Sequence, residues 1–477
     1  MWMSPSFGTE SKMRRPRESA EMMELKGKKV LVVGLGKSGL AAALFLRHRG
    51  AQVTVSDVRS AAALAKELPA LLEEGIMVET GGHGLLTFRR QDLIVVSPGV
   101  PLNTPELLQV KSFGLPVIGE LELAARFLKG KILAITGSNG KTTTTALVGE
   151  ILAAAGLPTL VGGNIGVPVV ALIDPSTDQT WSVLEVSSFQ LESTAQFHPS
   201  IAVILNITPD HLDRHGTFEN YALAKERIFA SQGPGDYLIL NADDIRAAKA
   251  AERSNARIYW FSVENPVAQG AWLEDGYLVF RSDKDAPIER ILPLSEIPLK
   301  GAHNVENVLA AVCAARLAGA PAEPIRSAVE NFRAVEHRLE YVATVNGVEY
   351  YNDSKATNVD ATMKAVASFN SGIHLILGGK DKGSDYTQLA DLLRARVKTV
   401  YTIGSAAEKI ERHLAGVVKI VSAGTLDAAL RAAAQDAIAG DVVLLAPACS
   451  SFDQFENYEQ RGRVFKELVK GLAGASV

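Results

Sequence analysis

The sequence alternates short runs rich in β-branched residues with helical stretches such as residues 39–50, and it does so three times along the chain. Strands that alternate with helices in this way form parallel sheets with helices packed on their faces. A chain of 477 residues is also too long for a single hydrophobic core. The pattern therefore predicts an α/β protein with several domains.

The predicted strands fall into three sets, with boundaries near residues 120 and 335. The first set is 28–34, 51–57, 76–80, 93–98 and 115–119. The second set is 131–136, 181–187, 201–207, 237–241 and 257–262, followed by a hairpin at 271–280 and a helix at 303–319. The third set is a hairpin turning at Asn346-Gly347 and strands at 373–379, 397–404, 417–422 and 441–447. Residues 1–26 are predicted to be a disordered tail or the product of a misassigned start codon.

Charge and composition argue against several classes of function. Lys and Arg total 49 against 53 Asp and Glu, which does not favour a nucleic-acid partner. No apolar stretch approaches the length of a membrane span, so membrane insertion is not expected. The two cysteines, Cys313 and Cys449, lie outside any metal-ligand spacing and are expected to be buried and inert. A reducing, cytoplasmic location is the natural expectation.

The sharpest local motif lies at residues 134–152, where a predicted buried strand runs into a glycine-rich turn and then a helix. Lys141 and Thr142 follow the turn, where the helix begins. Backbone N–H groups there can bind phosphate, the lysine can neutralise the outer phosphates, and the threonine hydroxyl can hold Mg²⁺. Ile135 stands where the usual spacing has its first glycine. The flanking strand and helix still favour an ATP or GTP phosphate site over a plain loop.

A second glycine pattern, Gly34-x-Gly36-x-x-Gly39, also joins a predicted strand to a helix, and Asp57 ends the next strand. This arrangement fits a dinucleotide-binding loop, although any tight turn from strand to helix favours glycine. The pattern predicts a nucleotide pyrophosphate at this helix N-terminus without identifying the nucleotide. The turn at 97–99 lies at another strand end, where ligands bind in open α/β sheets.

Three polar residues of the second set could share the sheet edge that carries the phosphate motif. Glu185 lies in one predicted strand, His211 follows the next, and Lys225 lies in the helix after it. Mg²⁺ prefers oxygen ligands, so a glutamate is an expected ligand and a histidine a less usual one. Each residue taken alone is more typical of a solvent-facing position. Their joint occurrence indicates a metal-assisted site.

Nine motifs follow one another along the chain: GSNGKTT, GGNIG, LEVSSFQLE, NITPDHLDRHG, KGAHNVENVLAA, EHRLE, NDSKATN, GGKDKG and PACSSFDQFENYEQRG. Together they resemble the Mur ligases of peptidoglycan synthesis, from residue 27 to the C-terminus. LEVSSFQLE, NDSKATN and SSFDQFENYEQRG are similar to the branch of that family that adds D-glutamate.

The resemblance implies three domains: a Rossmann-like N-terminal domain at 27–119 for a uridine nucleotide, a central P-loop ATPase-type parallel-sheet domain at 120–334, and a Rossmann-like C-terminal domain at 335–477 for the amino acid. It implies an enzyme that activates UDP-N-acetylmuramoyl-L-alanine with ATP, through an acyl phosphate, and joins it to D-glutamate. It also implies two Mg²⁺ ions and a carbamylated Lys225. A monomer is expected.

The resemblance further assigns roles to individual residues. The catalytic residues are Lys141, Glu185, His211, Lys225 and Arg338. The ATP-binding residues are Gly137, Ser138, Asn139, Gly140, Lys141, Thr142, Thr143, Asn304, Asn307, Arg338 and Asp353. The residues for the UDP-linked substrate are Gly36, Lys37, Ser38, Gly39, Asp57, Arg59, Ser97, Pro98, Gly99, Asn164 and Ser187. The D-glutamate residues are Lys355, Thr357, Lys382, Ser451, Phe452 and Tyr458. The metal ligands are Thr142, Glu185, His211 and carbamylated Lys225.

Other functions remain as alternatives. A ligase for a different amino acid and a folylpolyglutamate synthase-like enzyme share the phosphate motif, but the predicted C-terminal pocket argues against both. The N-terminal glycines alone would allow an NAD-dependent oxidoreductase. A nucleotide-gated binding protein without catalysis is disfavoured because Lys141, Glu185, His211 and Lys225 occur together.

Overall fold

The computed structural model describes residues 23–299, 301–333 and 336–474. These residues form three sheets with helices on their faces, which confirms the predicted α/β class. Most of the predicted tail, residues 1–22, lies outside the described residues, and so does the predicted boundary at 334–335. The domain limits themselves stay a prediction.

The first sheet has five parallel strands in the order β3-β2-β1-β4-β5. Its strands are β1 (Lys29–Val33), β2 (Gln52–Asp57), β3 (Met77–Thr80), β4 (Leu93–Val96) and β5 (Val117–Gly119). Its helices are α1 (Lys37–His48), α2 (Leu68–Glu73), α3 (Leu85–Arg89) and α4 (Pro105–Ser112). The strand order reverses at β1, so the loops after β1 and β4 flank the crevice where ligands bind in such sheets.

Helix α5 (Glu120–Phe127) joins the first sheet to the second. Its two buried glutamates accept backbone N–H groups from the second sheet's loops. Glu120 accepts from Val170 at 2.9 Å, and Glu122 accepts from Ala195 and Gln196 at 2.9 and 3.0 Å. Buried carboxylates need such partners, so α5 is fixed to both sheets.

The second sheet has nine strands in the order β14-β13-β12-β11-β10-β9-β6-β8-β7, parallel from β7 to β12 and antiparallel at β13 and β14. Its strands are β6 (Lys131–Thr136), β7 (Thr159–Gly163), β8 (Trp181–Glu185), β9 (Ile201–Ile204), β10 (Tyr237–Asn241), β11 (Arg257–Ser262), β12 (Gly270–Glu274), β13 (Tyr277–Arg281) and β14 (Glu289–Pro293). Its helices are α6 (Lys141–Ala154), α7 (Ser188–Glu192), α8 (Leu212–His215), α9 (Phe218–Glu226), α10 (Ile245–Ala248), α11 (Ala302–Ala318) and α12 (Ala322–Asn331).

The third sheet has six strands in the order β15-β16-β20-β17-β18-β19, with only β15 antiparallel. Its strands are β15 (Glu340–Val345), β16 (Val348–Asn352), β17 (Ile373–Gly378), β18 (Val397–Ile403), β19 (Lys419–Gly424) and β20 (Val442–Leu445). Its helices are α13 (Val359–Ala367), α14 (Ala390–Arg396), α15 (Ala407–His413), α16 (Leu426–Asp436) and α17 (Tyr458–Gly474).

The two predicted hairpins are confirmed. Glu274 pairs with Tyr277 across a two-residue turn, and Val345 pairs with Val348 across Asn346-Gly347. Strands β7 and β14 were not predicted, and several predicted strands end two or three residues early because their last residues form the ligand-facing loops. Both cysteines are buried. Within the described residues, no helix is long and apolar enough to cross a membrane.

Candidate active site

The carboxyl ends of three neighbouring central strands carry the residues predicted to handle phosphate and metal. Strand β6 lies between β9 and β8 and leads into the loop before α6. Glu185 ends β8, and His211 follows β9. Because the strands are parallel, the phosphate loop, the glutamate and the histidine meet at one edge of the sheet.

The phosphate loop is shaped by a glycine and fixed by an asparagine. Gly140 immediately precedes α6 with φ +85°, and a Cβ atom there would lie 2.1 Å from Oδ1 of Asn307. Oδ1 of Asn206 accepts the N–H of Asn139 at 2.8 Å, and its amide nitrogen donates to the Asn139 carbonyl at 3.2 Å. Ser138 donates to the Thr208 carbonyl at 2.9 Å. The loop is therefore held open at the N-terminus of α6, as phosphate binding requires.

Two lysines converge on one carbonyl oxygen of this loop. Lys141 Nζ donates to the Gly137 carbonyl at 2.7 Å, and Lys225 Nζ donates to the same oxygen at 2.8 Å. Lys225 is 1% exposed and lies 4.5 Å from the centre of the Tyr221 ring. Burial lowers the pKa of both lysines, and the Lys141 ammonium lowers the pKa of Lys225 further. Two buried cationic groups this close favour an anionic ligand.

Thr142 and Glu185 form the predicted magnesium position. The Thr142 hydroxyl donates to Glu185 Oε2 at 2.8 Å, and Asn164 donates to Glu185 Oε1 at 2.9 Å. Lys355, from the third sheet, donates to the Thr142 hydroxyl oxygen. Burial lowers the pKa of Lys355 to about 8, although Glu185 opposes that change. The three groups bring one positive and one negative charge to the first turn of α6.

The donors at this edge suit a hard cation that also binds phosphate. Among the described residues, no group of three or more His, Cys, Asp or Glu side chains could by itself hold a metal ion. Mg²⁺ usually takes one or two protein oxygens and completes its shell with water and phosphate oxygens. Thr142 and Glu185 fit that pattern.

His211 lies at the same edge with φ +53°, packed edge-on against Phe189 at a centroid distance of 4.8 Å. Burial lowers its pKa to about 4, although Asp210 opposes that change. Its imidazole is therefore neutral at pH 7 and able to act as a ligand. Asp210 itself accepts from Asn358 at 2.9 Å and lies 3.6 Å from Lys382 Nζ.

A narrow cavity beside the phosphate loop gathers the outer residues of the predicted ATP site. Asn304 and Asn307 lie one turn apart on α11 and share a hydrogen bond of 3.1 Å. Nε of Arg338 and Oδ1 of Asp353 are buried without a hydrogen-bond partner in the described structure. Burial raises the pKa of Asp353 to about 6, with Arg338 opposing. The cavity is lined by Asn139, Gly140, Asn206, His303, Glu306, Asn307, Arg338, Asp353, Ala361 and Lys364.

The predicted D-glutamate residues come from loops after three adjacent strands, β16, β20 and β17. Ser451 is buried, whereas Phe452 is 68% exposed. Tyr458 begins α17, and its ring lies 5.3 Å from Lys355 Nζ. Lys355 contacts Thr142, so this residue lies at the phosphate side of the predicted pocket. Thr357 and Lys382 lie in the loops after β16 and β17.

The N-terminal glycine loop contributes one wall of a larger cleft of about 470 Å³. Residues from all three sheets line it: Lys37, Ser38, Pro98, Thr142, Ala146, Gly163, Asn164, Ile165, Gly166, Pro168, Gln190, Glu336, His337, Lys355, Tyr458 and Glu459. This cleft therefore brings the predicted UDP-substrate, phosphate and amino-acid residues together.

Several predicted UDP-substrate residues are already engaged in the N-terminal domain. Asp57 accepts the Leu35 N–H at 2.7 Å and binds Arg59 with both oxygens. Burial acts to raise the pKa of Asp57, but the hydrogen bonds from Arg59 and Leu35 outweigh it and hold the pKa below its usual value. Ser97 donates to the Gly34 carbonyl at 2.7 Å. Both carboxylate oxygens of Asp57 are thus occupied by Arg59. In a dinucleotide site, the corresponding acidic residue is free to bind ribose.

Two further predicted residues, Gly36 and Gly99, have open space where a Cβ would lie, whereas a Cβ on Gly39 would meet the Gly34 carbonyl oxygen at 2.0 Å. Gly39 thus serves the close packing of the loop. Ser187 uses its hydroxyl to cap α7, where it accepts the Gln190 N–H at 3.3 Å. Its contact with a substrate stays a prediction.

Sequence reasoning assigned no role to several residues at the site. Asn206 and Asp210 lie inside the NITPDHLDRHG motif, and their place in that motif could have identified them as site residues. Asp360 accepts from Asn139 and, at 3.3 Å, from Thr208, but it follows the NDSKATN motif with no distinctive neighbour. His337, in EHRLE, lines the cleft.

Three protein-family descriptions match successive parts of the chain. "Mur ligase MurD-like, N-terminal domain" matches residues 28–119, "Mur ligase middle domain" matches 135–315, and "Mur ligase, glutamate ligase domain" matches 337–449. Each matched segment contains one of the three sheets or most of it.

The chain is also similar to individual proteins over nearly its whole length. UDP-N-acetylmuramoylalanine--D-glutamate ligase of Acidobacterium capsulatum is 72% identical over 454 residues, covering 95% of this chain and 98% of the relative. The protein of the same name from Koribacter versatilis is 60% identical, covering 94% and 99%. The structure of a pseudomurein peptide ligase type C from Methanothermus fervidus aligns with a TM-score of 0.59 at 22% identity, covering 94% of this chain and 100% of that one. This last likeness is one of fold.

Proposed function

The chain belongs to the Mur ligase family, and we propose from that premise that it joins D-glutamate to UDP-N-acetylmuramoyl-L-alanine with ATP as the phosphoryl donor. The reaction is a step of peptidoglycan precursor synthesis, on which cell wall formation, cell shape and division depend. The N-terminal, central and C-terminal domains, with the predicted limits 27–119, 120–334 and 335–477, would bind the UDP-linked substrate, ATP and D-glutamate respectively. The family assignment favours a ligase over the oxidoreductase that the N-terminal glycines alone would allow.

One observation supports this proposal above the others: a single cleft is lined by residues of all three domains. Lys37 comes from the N-terminal domain, Thr142 from the phosphate loop, and Lys355 from the C-terminal domain. A ligase must bring a carboxylate, a γ-phosphate and an amine together, and such a cleft allows that arrangement.

ATP converts the L-alanyl carboxylate into an acyl phosphate, which the D-glutamate amine attacks with release of phosphate. The protein's part is to align the reactants and to neutralise charge that develops during transfer. Lys141 lies at the phosphate loop, and Lys355 and Arg338 approach from the C-terminal side. These cationic groups are partly buried, so their charges act more strongly than they would in water.

Mg²⁺, when bound, would lower the charge on the transferring phosphoryl group. Thr142 and Glu185 would hold one ion, and neutral His211 with a carbamylated Lys225 would hold the second. We place the reaction in the cytoplasm and expect a monomer, because the cleft is completed by one chain.

The carbamate proposal for Lys225 rests on its surroundings. Its amine is fully buried, and its pKa is lowered by burial and by the neighbouring Lys141 ammonium. A neutral amine can add CO₂ to give a carbamate with release of one proton. That product is an anionic oxygen ligand of the kind Mg²⁺ prefers, and it would replace one of two neighbouring cations.

A ¹³C spectrum of enzyme incubated with ¹³C-bicarbonate tests the carbamate directly. We expect a carbamate resonance that is missing from Lys225→Ala, and activity that falls on removal of CO₂ and returns with bicarbonate. Lys249→Ala, in a helix outside the cleft, is the matched control. A spectrum without the resonance in active enzyme would contradict the carbamate.

The function itself is tested by phosphate release with each substrate omitted in turn. Release should require ATP, UDP-N-acetylmuramoyl-L-alanine and D-glutamate together, and other amino acids should not replace D-glutamate. Borohydride should trap an acyl phosphate formed without D-glutamate. Efficient turnover with another amino acid would overturn the choice of substrate.

A further inference from the structure

His337 is a buried residue of the cleft wall that the proposed reaction does not yet use. It is 2% exposed and lines the cleft together with Lys355 and Tyr458. Its backbone has φ +66°, an uncommon conformation for a residue with a side chain. The His337 N–H donates to Glu340 Oε2 at 2.9 Å, and its carbonyl accepts the Lys355 N–H at 3.1 Å. The backbone is therefore held in place from both sides, as strained functional residues require.

The orientation of a neighbouring amide determines which imidazole nitrogen carries the proton. Oδ1 of Asn352 accepts the Ser354 N–H at 3.1 Å, so its other terminal atom is the nitrogen. That nitrogen donates to Glu340 Oε2 at 3.0 Å and lies 2.9 Å from Nδ1 of His337. Since an amide nitrogen can only donate, Nδ1 of His337 must accept.

The proton of the neutral imidazole consequently lies on Nε2. Burial lowers the pKa of His337, with Glu336 and Glu340 opposing, which keeps the ring neutral at pH 7. Nε2 has no hydrogen-bond partner among the described residues. Glu336 Oε1 is 3.7 Å away, beyond hydrogen-bond distance, and is paired with Lys466 at 2.6 Å.

The imidazole ring of His337 occupies space that a side chain at position 462 would fill. A Cβ atom on Gly462 would lie 2.2 Å from Nδ1 of His337, so the glycine makes room for the imidazole. Buried hydrogen-bond donors in folded proteins nearly always have a partner. The Nε2–H of His337 is therefore available to donate to a ligand.

We propose that His337 is a substrate-binding residue whose Nε2–H donates a hydrogen bond to a carboxylate oxygen in the cleft, beside the Lys355 ammonium. This inference rests on the proposed function, which supplies such carboxylates on two substrates: one on the L-alanyl group and two on D-glutamate. A neutral donor beside a cation binds a carboxylate without adding a second charge next to Lys355.

A matched pair of substitutions separates the two ring nitrogens. His337→Asn places an acceptor near the position of Nδ1, tolerates a left-handed backbone, and lacks the cleft donor. His337→Gln extends an amide N–H towards the position of Nε2. We expect His337→Asn to lower kcat/KM for one carboxylate substrate by roughly 10- to 100-fold, the usual range for a hydrogen bond to a charged group, with KM for ATP within about twofold. We expect His337→Gln to recover part of that loss.

The substrate whose kcat/KM falls is the one whose carboxylate His337 binds. Unchanged kinetics for both substrates in His337→Asn would overturn the proposal. An equal loss for ATP and both carboxylates would indicate a structural role and would also overturn it.

¹⁵N spectra of histidine-labelled full-length enzyme give a readout that does not depend on turnover or on the stability of the glutamine variant. The His337 signals, identified by their loss in His337→Asn, should show the Nε2–H tautomer, and Nε2 should shift on addition of one of the two substrates. A proton on Nδ1, or no shift with either substrate, would contradict the inference. Failure of the proposed function is distinct: the parent enzyme would then not turn over at all.

Discussion

The central domain meets its two neighbours through interfaces of different kinds. Towards the N-terminal domain, one hydrophobic cluster continues from Val30 through α5 to Ala250, and the buried glutamates of α5 bind backbone N–H groups of the central domain. Towards the C-terminal domain, the two apolar clusters at 339–449 and 345–472 contain only residues of that domain. Several polar side chains form contacts across this second boundary.

These polar side chains belong to the site itself. Lys355 binds Thr142, Lys382 lies beside Asp210, and Asp360 accepts from Asn139. The first interface is therefore an ordinary buried core, whereas the second uses groups that also meet ligands. We therefore expect substrates to change the contacts between the central and C-terminal domains and to leave those with the N-terminal domain intact.

The largest expected effect is on kcat. It should distinguish a residue of the phosphate loop, which acts in the chemical step, from a residue of the N-terminal domain, which binds the UDP-linked substrate. Lys141→Ala should lower kcat by roughly a thousandfold or more, because it removes a partly buried charge that stabilises the transferring phosphoryl group. Binding of the UDP-linked substrate, measured by calorimetry, should change by less than about threefold. Lys37→Ala is the counterpart on the N-terminal side and should raise KM for that substrate with little change in kcat. Equal losses of kcat and substrate affinity in Lys141→Ala would contradict the division.

The second effect concerns the stability of the first interface. Burial raises the pKa of Glu120 from 4.5 to about 7, so the folded protein keeps a proton that the unfolded chain releases. The stabilisation that protonated Glu120 gives the folded protein is complete below about pH 4.5, declines as the pH rises towards 7, and is lost above pH 7. The loss amounts to about 3 kcal/mol, the free energy that such a change in pKa represents.

Glu120→Gln keeps an acceptor for the Val170 N–H and has no charge to bury. Chemical denaturation at pH 8 should show the variant to be more stable than the parent, with the advantage disappearing near pH 4.5. Glu73→Gln, at an exposed position of α2, should show neither change. A parent protein whose stability does not depend on pH between 4.5 and 7 in this comparison would disprove the assignment.

The third effect lies on the second interface. Lys382→Ala should raise KM for D-glutamate by about tenfold, the cost of losing one charge-assisted bond. KM for ATP should stay within about twofold. Lys398→Ala removes a lysine of the same domain that pairs with Asp441 instead, and it should leave both KM values unchanged. An unaltered D-glutamate dependence in Lys382→Ala would remove that lysine from the site.

The smallest effect is loosening of the second interface alone. Asp360→Asn weakens the acceptor for Asn139 and Thr208 and the pairing with Lys364 at 3.2 Å. Because each contact is partly exposed, we expect a loss of about 1 kcal/mol or less. Hydrogen exchange should quicken in α13 and remain unchanged at 169–172. Faster exchange at both places would mean that the two interfaces are coupled.

Most of the fold could be predicted from the sequence because buried parallel strands are continuous apolar runs. The two missed strands lack that signal: β7, TLVGG, is partly exposed and ends in two glycines, and β14, ERILP, begins with charged residues and ends in proline. Both are edge strands, whose sequences are shaped less by burial.

The candidate site was predictable where a motif fixes local geometry, as at Lys141, and not where contacts join distant segments. Asn139 and Asp360 are 221 residues apart, and Lys355 and Thr142 are 213 apart. Contacts between residues so far apart produce no periodicity or motif that a single sequence could show. His337 shows a third case, because its role depends on a tautomer set by Asn352 and Ser354.

The position of β20 has a consequence for how the chain reaches its folded state. This strand pairs with β16 on one side and β17 on the other, and it is the last strand of the chain. Glu349 pairs with Val442, so β16 cannot pair with β20 until nearly the whole C-terminal domain has been synthesised. Contacts of such long sequence separation slow folding. All five strands of the N-terminal sheet have been synthesised by Gly119, whereas the amino-acid pocket is assembled last. Nascent chains that stop before Val442 should therefore expose the edges of β16 and β17 and depend on chaperones.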